Sequence, residues 1–208
     1  MVLEKSISTF WLYKILPKRM VSFLILIRFE KPTGFLLLMW PCWFALAMLS
    51  IKSIKYYILF FLGSFFMRSA GCIINDYFDR KIDKNVKRTS SRPLASGDLK
   101  IIEAIIFMFI LLLFSFFILL QFKLLSIIIA LMSMPLIIVY PFMKRYTYWP
   151  QLVLGITFNW GILVVSAEYI GGISLQLFLL YIACIFWTLG YDTIYAYQDR
   201  EDDIKINL

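Results

Sequence analysis

Five stretches of this chain run without a charged residue for about the length a helix needs to cross a bilayer: Thr33–Ile51, Ala104–Phe122, Leu124–Met143, Tyr146–Ala167 and Tyr169–Tyr191. A hydrocarbon core roughly 30 Å thick takes about 20 helical residues. A sixth stretch, Tyr56–Ile74, carries a single charge, Arg68. With 62% apolar and only 16% charged residues, and a mean hydropathy of +0.82, the chain cannot be an ordinary soluble domain, in which about a quarter of residues are charged. The expected fold is therefore all-α: a polytopic helical membrane bundle with six predicted transmembrane helices.

The positive charges orient these helices. With the N-terminus cytoplasmic, residues 1–32, the loop Asn75–Lys100, Lys144-Arg145 and the C-terminal tail all lie inside. Counting Arg68 with them, that side holds 18 of the 21 Lys and Arg residues; only Lys52 and Lys55, in the short turn between the first two spans, and Lys123, in the turn Gln121–Lys123, remain outside, where the turn Glu168–Gly172 also falls. Arg68 then either snorkels to the headgroups or meets phosphate. Residues 1–32 read as a basic cytoplasmic or interfacial segment, with Phe10, Trp11 and Tyr13 suited to lying along the membrane surface, and residues 33–208 as the membrane domain.

The net charge of +8 does not point to nucleic acid, because the basic residues sit beside membrane spans, where anionic lipid and the positive-inside rule account for them. Cys42, Cys72 and Cys184 fall inside apolar spans with no paired spacing and read as small buried hydrophobes. The chain has no His, which removes His-based catalysis.

Two acidic clusters remain, each following an apolar run: Asn75-Asp76-Tyr77-Phe78-Asp79-Arg80-Lys81-Ile82-Asp83, and the stretch from Asp192 through Asp199 to Asp202-Asp203. The positive-inside count puts both on the cytoplasmic side. If the preceding helices continue past the membrane surface, Asn75, Asp79 and Asp83 share one face and Asp76 points elsewhere. Likewise Asp192, Asp199 and Asp203 share a face with Tyr195 beside them, and Asp202 is off it. Carboxylate and amide oxygens repeated at each turn are hard ligands for Mg²⁺, which takes its remaining ligands from water and phosphate oxygens. Solubility alone explains one such cluster on a surface helix, but two at membrane exits on one side point to a metal-held diphosphate. Lys84, Lys87, Arg88 and Arg92, next to the first cluster, are either positive-inside charges or the cations a diphosphate also needs, with Arg better suited than Lys to bidentate contact.

The first cluster, followed by Val86-Lys87-Arg88-Thr89 and Arg92-Pro93-Leu94-Ala95-Ser96-Gly97, resembles the first signature of the UbiA superfamily of intramembrane prenyltransferases, and the second cluster resembles that family's second Asp-rich motif. Arg28-Phe29-Glu30-Lys31-Pro32-Thr33-Gly34, Leu38-Met39-Trp40-Pro41 and Tyr140-Pro141-Phe142-Met143-Lys144-Arg145-Tyr146-Thr147 extend the likeness from about Arg28 to the end. In detail they are similar to the branch of bacterial 4-hydroxybenzoate polyprenyltransferases of ubiquinone biosynthesis.

The resemblance implies Mg²⁺-dependent transfer of a polyprenyl group from its diphosphate to the ring carbon ortho to the hydroxyl of 4-hydroxybenzoate, in the bacterial inner membrane and facing the cytoplasm. It implies that Asn75, Asp79, Asp83, Asp199 and Asp203 hold the metal, and that Asp79, Asp199 and Asp192 serve catalysis, Asp192 near the acceptor ring. Arg28, Lys87, Arg88 and Arg92 are the implied diphosphate contacts, Lys144 or Arg145 meets the acceptor carboxylate, and Tyr195 lies against the substrate. Trp187, Tyr191 and Tyr195 are either cation-stabilising rings or ordinary interfacial aromatics.

The family has nine membrane helices against the six read here, and Lys205-Ile206-Asn207-Leu208 departs from the usual continuation, so a C-terminal truncation is expected. The alternatives are an inactive or structural membrane fragment, and an enzyme for another acceptor such as naphthoate, homogentisate or protohaem. A transporter would place its charges nearer the bilayer midplane.

Overall fold

The computed structural model describes residues 15–86, 89–147 and 149–205, with side chains left undescribed at 141–142, 144–145 and 196–205. The described residues form helices and turns without a strand. In chain order the helices are α1 (Lys18–Leu26), α2 (Thr33–Met48), α3 (Ile54–Asp83), α4 (Pro93–Ser96), α5 (Ile101–Leu119), α6 (Leu124–Met132), α7 (Met134–Tyr146), α8 (Pro150–Phe158), α9 (Gly161–Ile170) and α10 (Leu175–Lys205).

Four helical stretches are long and apolar enough to cross a membrane: Ile54–Asp83, Ile101–Leu119, Pro150–Ile170 and Leu175–Tyr195; Thr33–Met48 and Leu124–Tyr140 are shorter apolar helices. The apolar runs are thus helical as expected, but two of them are broken. Leu124–Met143 divides at Ser133, because Pro135 in the first turn of α7 has no N–H to continue the ladder of α6. The next run divides at Asn159, whose side-chain Nδ2 donates to the Gly155 carbonyl at 2.7 Å and so competes with the backbone ladder. Two connections expected from the sequence also prove helical: residues 144–145 belong to the last turn of α7, and Glu168, expected in an outer turn, is a buried residue of α9.

The chain divides into two compact units, Met1–Leu36 with Ser64–Phe116, and Leu37–Gly63 with Phe117–Leu208. In the first, Leu26, Ile73, Leu94, Leu99 and Leu111 form the core, with Phe23 and Phe107 packed against it edge to face at 5.0 Å. Here α1 lies on α4. Gly97 ends α4 at φ 89°, a left-handed position that any other residue would strain.

In the second unit α8 packs on α10 and α7, and α9 packs on α6 and α10. Its core is built from Leu46, Phe60, Ile162, Val165, Leu177 and Ile185. Three side chains inside it are paired. Asn159 Nδ2 donates to Thr188 Oγ1 at 2.9 Å, the Trp160 indole donates to the Ile129 carbonyl at 2.8 Å, and the Tyr181 hydroxyl donates to the Ile156 carbonyl at 2.9 Å. All three cysteines are buried and none is in a disulfide.

Candidate active site

Helix α3 continues unbroken for 30 residues to Asp83, so the spacing of the first acidic cluster translates directly into angles around one helix. Taking Asn75 as zero, Asp79 falls at about 40°, Asp83 at about 80° and Asp76 at about 100°. Asp76 is therefore only about 20° from Asp83 and does not point away from the cluster as its neighbours' i, i+4 spacing had suggested. The structure places it at the centre of an ion-pair network. Its Oδ1 accepts from Arg28 Nη2 at 2.8 Å and from Arg92 Nη1 at 3.1 Å, and Arg92 Nη1 also donates to Asp83 Oδ2 at 2.8 Å.

Local sequence explains how these groups meet. Arg28 follows α1 in a turn closed by its own N–H to the Ile25 carbonyl, at φ 57°, which an L residue rarely adopts. Arg92 is the N-cap of α4, and Pro93 after it, with no N–H to lose, starts the helix. The turn between α3 and α4 is fixed by Thr89, which is buried and whose hydroxyl donates to the Asp83 carbonyl at 3.2 Å. Burial works against the charge on Arg28, but the carboxylate of Asp76, aided by Cys72 and Asp83, outweighs it and raises the guanidinium's pKa.

Asn75 and Asp79 are half-buried, while Asp76 and Asp83 are buried. Among the described residues no three His, Cys, Asp or Glu side chains gather as a metal-holding group. The first cluster nonetheless fits a hard divalent ion by its chemistry: an amide oxygen from Asn75, the carboxylate of Asp79, and Oδ1 of Asp83, which Arg92 does not take. Sulfur and imidazole, which favour softer metals, play no part in it.

On α10 the helix runs on through Lys205, so Asp192, Asp199 and Asp203 lie on one face, within about 40° of one another. Asp192 is half-buried and one turn beyond the buried Thr188, and Tyr195 is exposed. The side chains of Asp199, Asp203, Lys144 and Arg145, and residues Lys87 and Arg88 altogether, lie outside the described residues. Arg68 sits on α3, donates to Cys72 Sγ at 2.9 Å and covers Gly34, where a Cβ would meet its Nε at 3.0 Å.

Sequence reasoning missed the role of Asp76. The i, i+7 spacing from Asp76 to Asp83 was the available signal, but the partner Arg28, 48 residues earlier, was not readable from it.

Comparison with known proteins bears on the family. The chain is 44% identical over 199 residues to a 4-hydroxybenzoate octaprenyltransferase of Pseudoalteromonas translucida, covering 95% of this chain and 68% of the relative. It is 47% identical over 197 residues to a mitochondrial 4-hydroxybenzoate polyprenyltransferase of Caenorhabditis elegans, covering 92% and 55%. A solved UbiA homologue from Aeropyrum pernix shares the fold with a TM-score of 0.68 at 24% identity, over 82% of this chain and 65% of that one. The chain thus spans about 55–68% of the length of these proteins. Residues 36–208 match the UbiA prenyltransferase family, and the chain belongs to that family.

Proposed function

We propose that this chain is a membrane prenyltransferase that moves a polyprenyl group from polyprenyl diphosphate to the ring carbon ortho to the hydroxyl of 4-hydroxybenzoate, a step of ubiquinone biosynthesis. The observation that carries the reading is the set of Asn75, Asp79 and Asp83 oxygens on one unbroken helix beside two arginines held by Asp76. Relatives whose names specify this acceptor, at 44% and 47% identity, support it.

In this reading the allylic C–O bond breaks with its electron pair leaving on the diphosphate, the ring carbon forms the new C–C bond, and the ring loses a proton to recover aromaticity. Asn75, Asp79, Asp83, Asp199 and Asp203 would hold Mg²⁺, which when bound supplies positive charge against the leaving diphosphate. Arg28 and Arg92, with Lys87 and Arg88, bind and orient the diphosphate by charge-assisted hydrogen bonds, which lower the cost of charge separation in a medium that screens poorly. Asp192 accepts a hydrogen bond from the acceptor hydroxyl, which gains phenolate character and pushes electron density to the ortho carbon. Lys144 or Arg145 meets the acceptor carboxylate, and Tyr195 offers its ring to the allylic cation. In the same reading the apolar helices take the prenyl tail, and the enzyme lies in a bacterial cytoplasmic membrane with six spans, the N-terminus inside and the acidic clusters facing the cytoplasm.

The test is incorporation of ring-labelled 4-hydroxybenzoate into extractable lipid by membranes containing this chain, supplied with polyprenyl diphosphate and Mg²⁺. Labelled lipid from the wild type and none from Asp79→Ala supports the reading. No label from a chain shown to be folded and inserted would instead favour a structural membrane protein of the same family.

A further inference from the structure

The four charges of the Asp76 network are arranged with the acids inward. The side chains of Asp76 and Asp83 are 3% and 9% exposed, whereas those of Arg28 and Arg92 are 27% and 20% exposed. Two guanidinium groups converge on a single carboxylate oxygen, Asp76 Oδ1. Without that carboxylate they would repel each other at close range, Arg28 would be free to swing towards water, and Arg92 would be held by Asp83 alone. They also come from separate stretches, one after α1 and one at the start of α4, so nothing in the local chain holds them together.

At this network an anion arriving from solvent therefore meets guanidinium edges before the carboxylates of Asp76 and Asp83. Each guanidinium has five N–H donors. Arg28 Nη2 is directed to Asp76, and Arg92 uses Nη1 for both acids, which leaves Nε and Nη2 of Arg92 and the remaining edge of Arg28 for a second acceptor.

We infer that Asp76 is a positioning residue: it does not ligate metal, but holds Arg28 and Arg92 side by side as a preformed receptor for the diphosphate of the prenyl donor. The inference rests on the prenyltransferase reading for the identity of the anion. A diphosphate offers several oxygens within reach of two neighbouring guanidinium groups, and a receptor assembled beforehand does not lose binding energy to ordering two long side chains. Asp76 thus differs in kind from Asp79, one turn away on the same helix, whose place is with the metal.

The direct test is binding of inorganic diphosphate to the purified protein in detergent, by calorimetry with and without Mg²⁺, for wild type, Asp76→Asn and Asp76→Glu, with thermal unfolding of each. Loss of one charge-assisted anchor predicts diphosphate affinity weaker by on the order of ten-fold in Asp76→Asn, in Mg²⁺-free buffer as well, with partial rescue in Asp76→Glu. In turnover the same variant is expected to raise KM for the prenyl donor and to change kcat little. Unchanged diphosphate affinity in folded Asp76→Asn overturns the inference, as does a fall in kcat and Mg²⁺ affinity with KM unaltered, which would make Asp76 a metal ligand. If Asp76→Asn does not fold, Arg92→Gln decides: weakened diphosphate binding upholds the receptor and unchanged binding overturns it. Wild type that binds diphosphate but never prenylates 4-hydroxybenzoate would refute the proposed reaction and leave the receptor standing.

Discussion

The carboxylate of Glu168 accepts the hydroxyl of Ser126 at 2.7 Å, in a part of the chain that is otherwise almost wholly apolar. The same carboxylate takes the Lys123 backbone N–H at 2.8 Å and the Tyr56 hydroxyl at 3.1 Å, while Lys123 Nζ donates to the Glu168 carbonyl at 2.6 Å. One buried acid thereby joins the start of α3, the α5–α6 turn and the end of α9. Glu168→Ala leaves three donors without their acceptor, and the expected loss is about 3 kcal/mol, against about 1 kcal/mol for Tyr56→Phe. Reversible denaturation in mixed micelles measures both.

The close approach of α9 to α2 makes a second prediction. A Cβ on Gly161 would run into the Sγ of Cys42, so the two helices meet where one has no side chain. Gly161→Ala is expected to destabilise by about 1–3 kcal/mol through overpacking. Cys42→Ala removes the clashing sulfur and leaves its Cβ 3.8 Å from the new methyl, so the double variant should recover most of the loss. A thermal-shift comparison of the single and double variants checks this, and a double variant no more stable than Gly161→Ala would refute the contact.

Arg28 combines an ion pair to Asp76 with an unfavourable backbone. Both Arg28→Ala and Arg28→Gly remove its pair with Asp76, but only glycine relaxes φ 57°. Arg28→Gly should therefore be more stable than Arg28→Ala by about 1 kcal/mol, while both lose diphosphate binding equally. Unfolding midpoints separate the two effects.

Asp79 carries the metal prediction. Asp79→Asn keeps shape and removes charge, so the Mg²⁺ concentration for half-maximal activity should rise roughly ten-fold or more, with chelator abolishing activity in wild type and variant alike. Lys84→Ala, an exposed neighbour, should leave the Mg²⁺ dependence unchanged.

What the sequence made legible follows from which physical costs are local. Charges are expelled from a bilayer one residue at a time, so the apolar runs around α2, α3, α5 and α10 could be read without knowing any contact. The interruptions at Ser133 and Asn159 could not. A Pro inside an apolar run need not break a helix, as Pro41 within α2 illustrates. Glu168 read as a turn residue because an acid beside Tyr169 and Gly171-Gly172 suits a turn; only the convergence of Lys123, Ser126 and Tyr56, 42 to 112 residues away, explains its burial. In the first cluster helical spacing gave the faces of Asn75, Asp79 and Asp83, but the partners of Asp76 depend on tertiary placement of Arg28 and Arg92. For Lys144 and Arg145 the sequence located the positions and the described side chains stop short of them.

The most direct test of the proposed reaction is the structure of its product. Membranes containing this chain, given polyprenyl diphosphate, Mg²⁺ and ¹³C-ring 4-hydroxybenzoate, should yield a lipid whose NMR spectrum shows the prenyl group on the carbon ortho to a free hydroxyl, with the carboxylate intact. A prenyl ether or ester, or no prenylated ring from an inserted and folded chain, would contradict it.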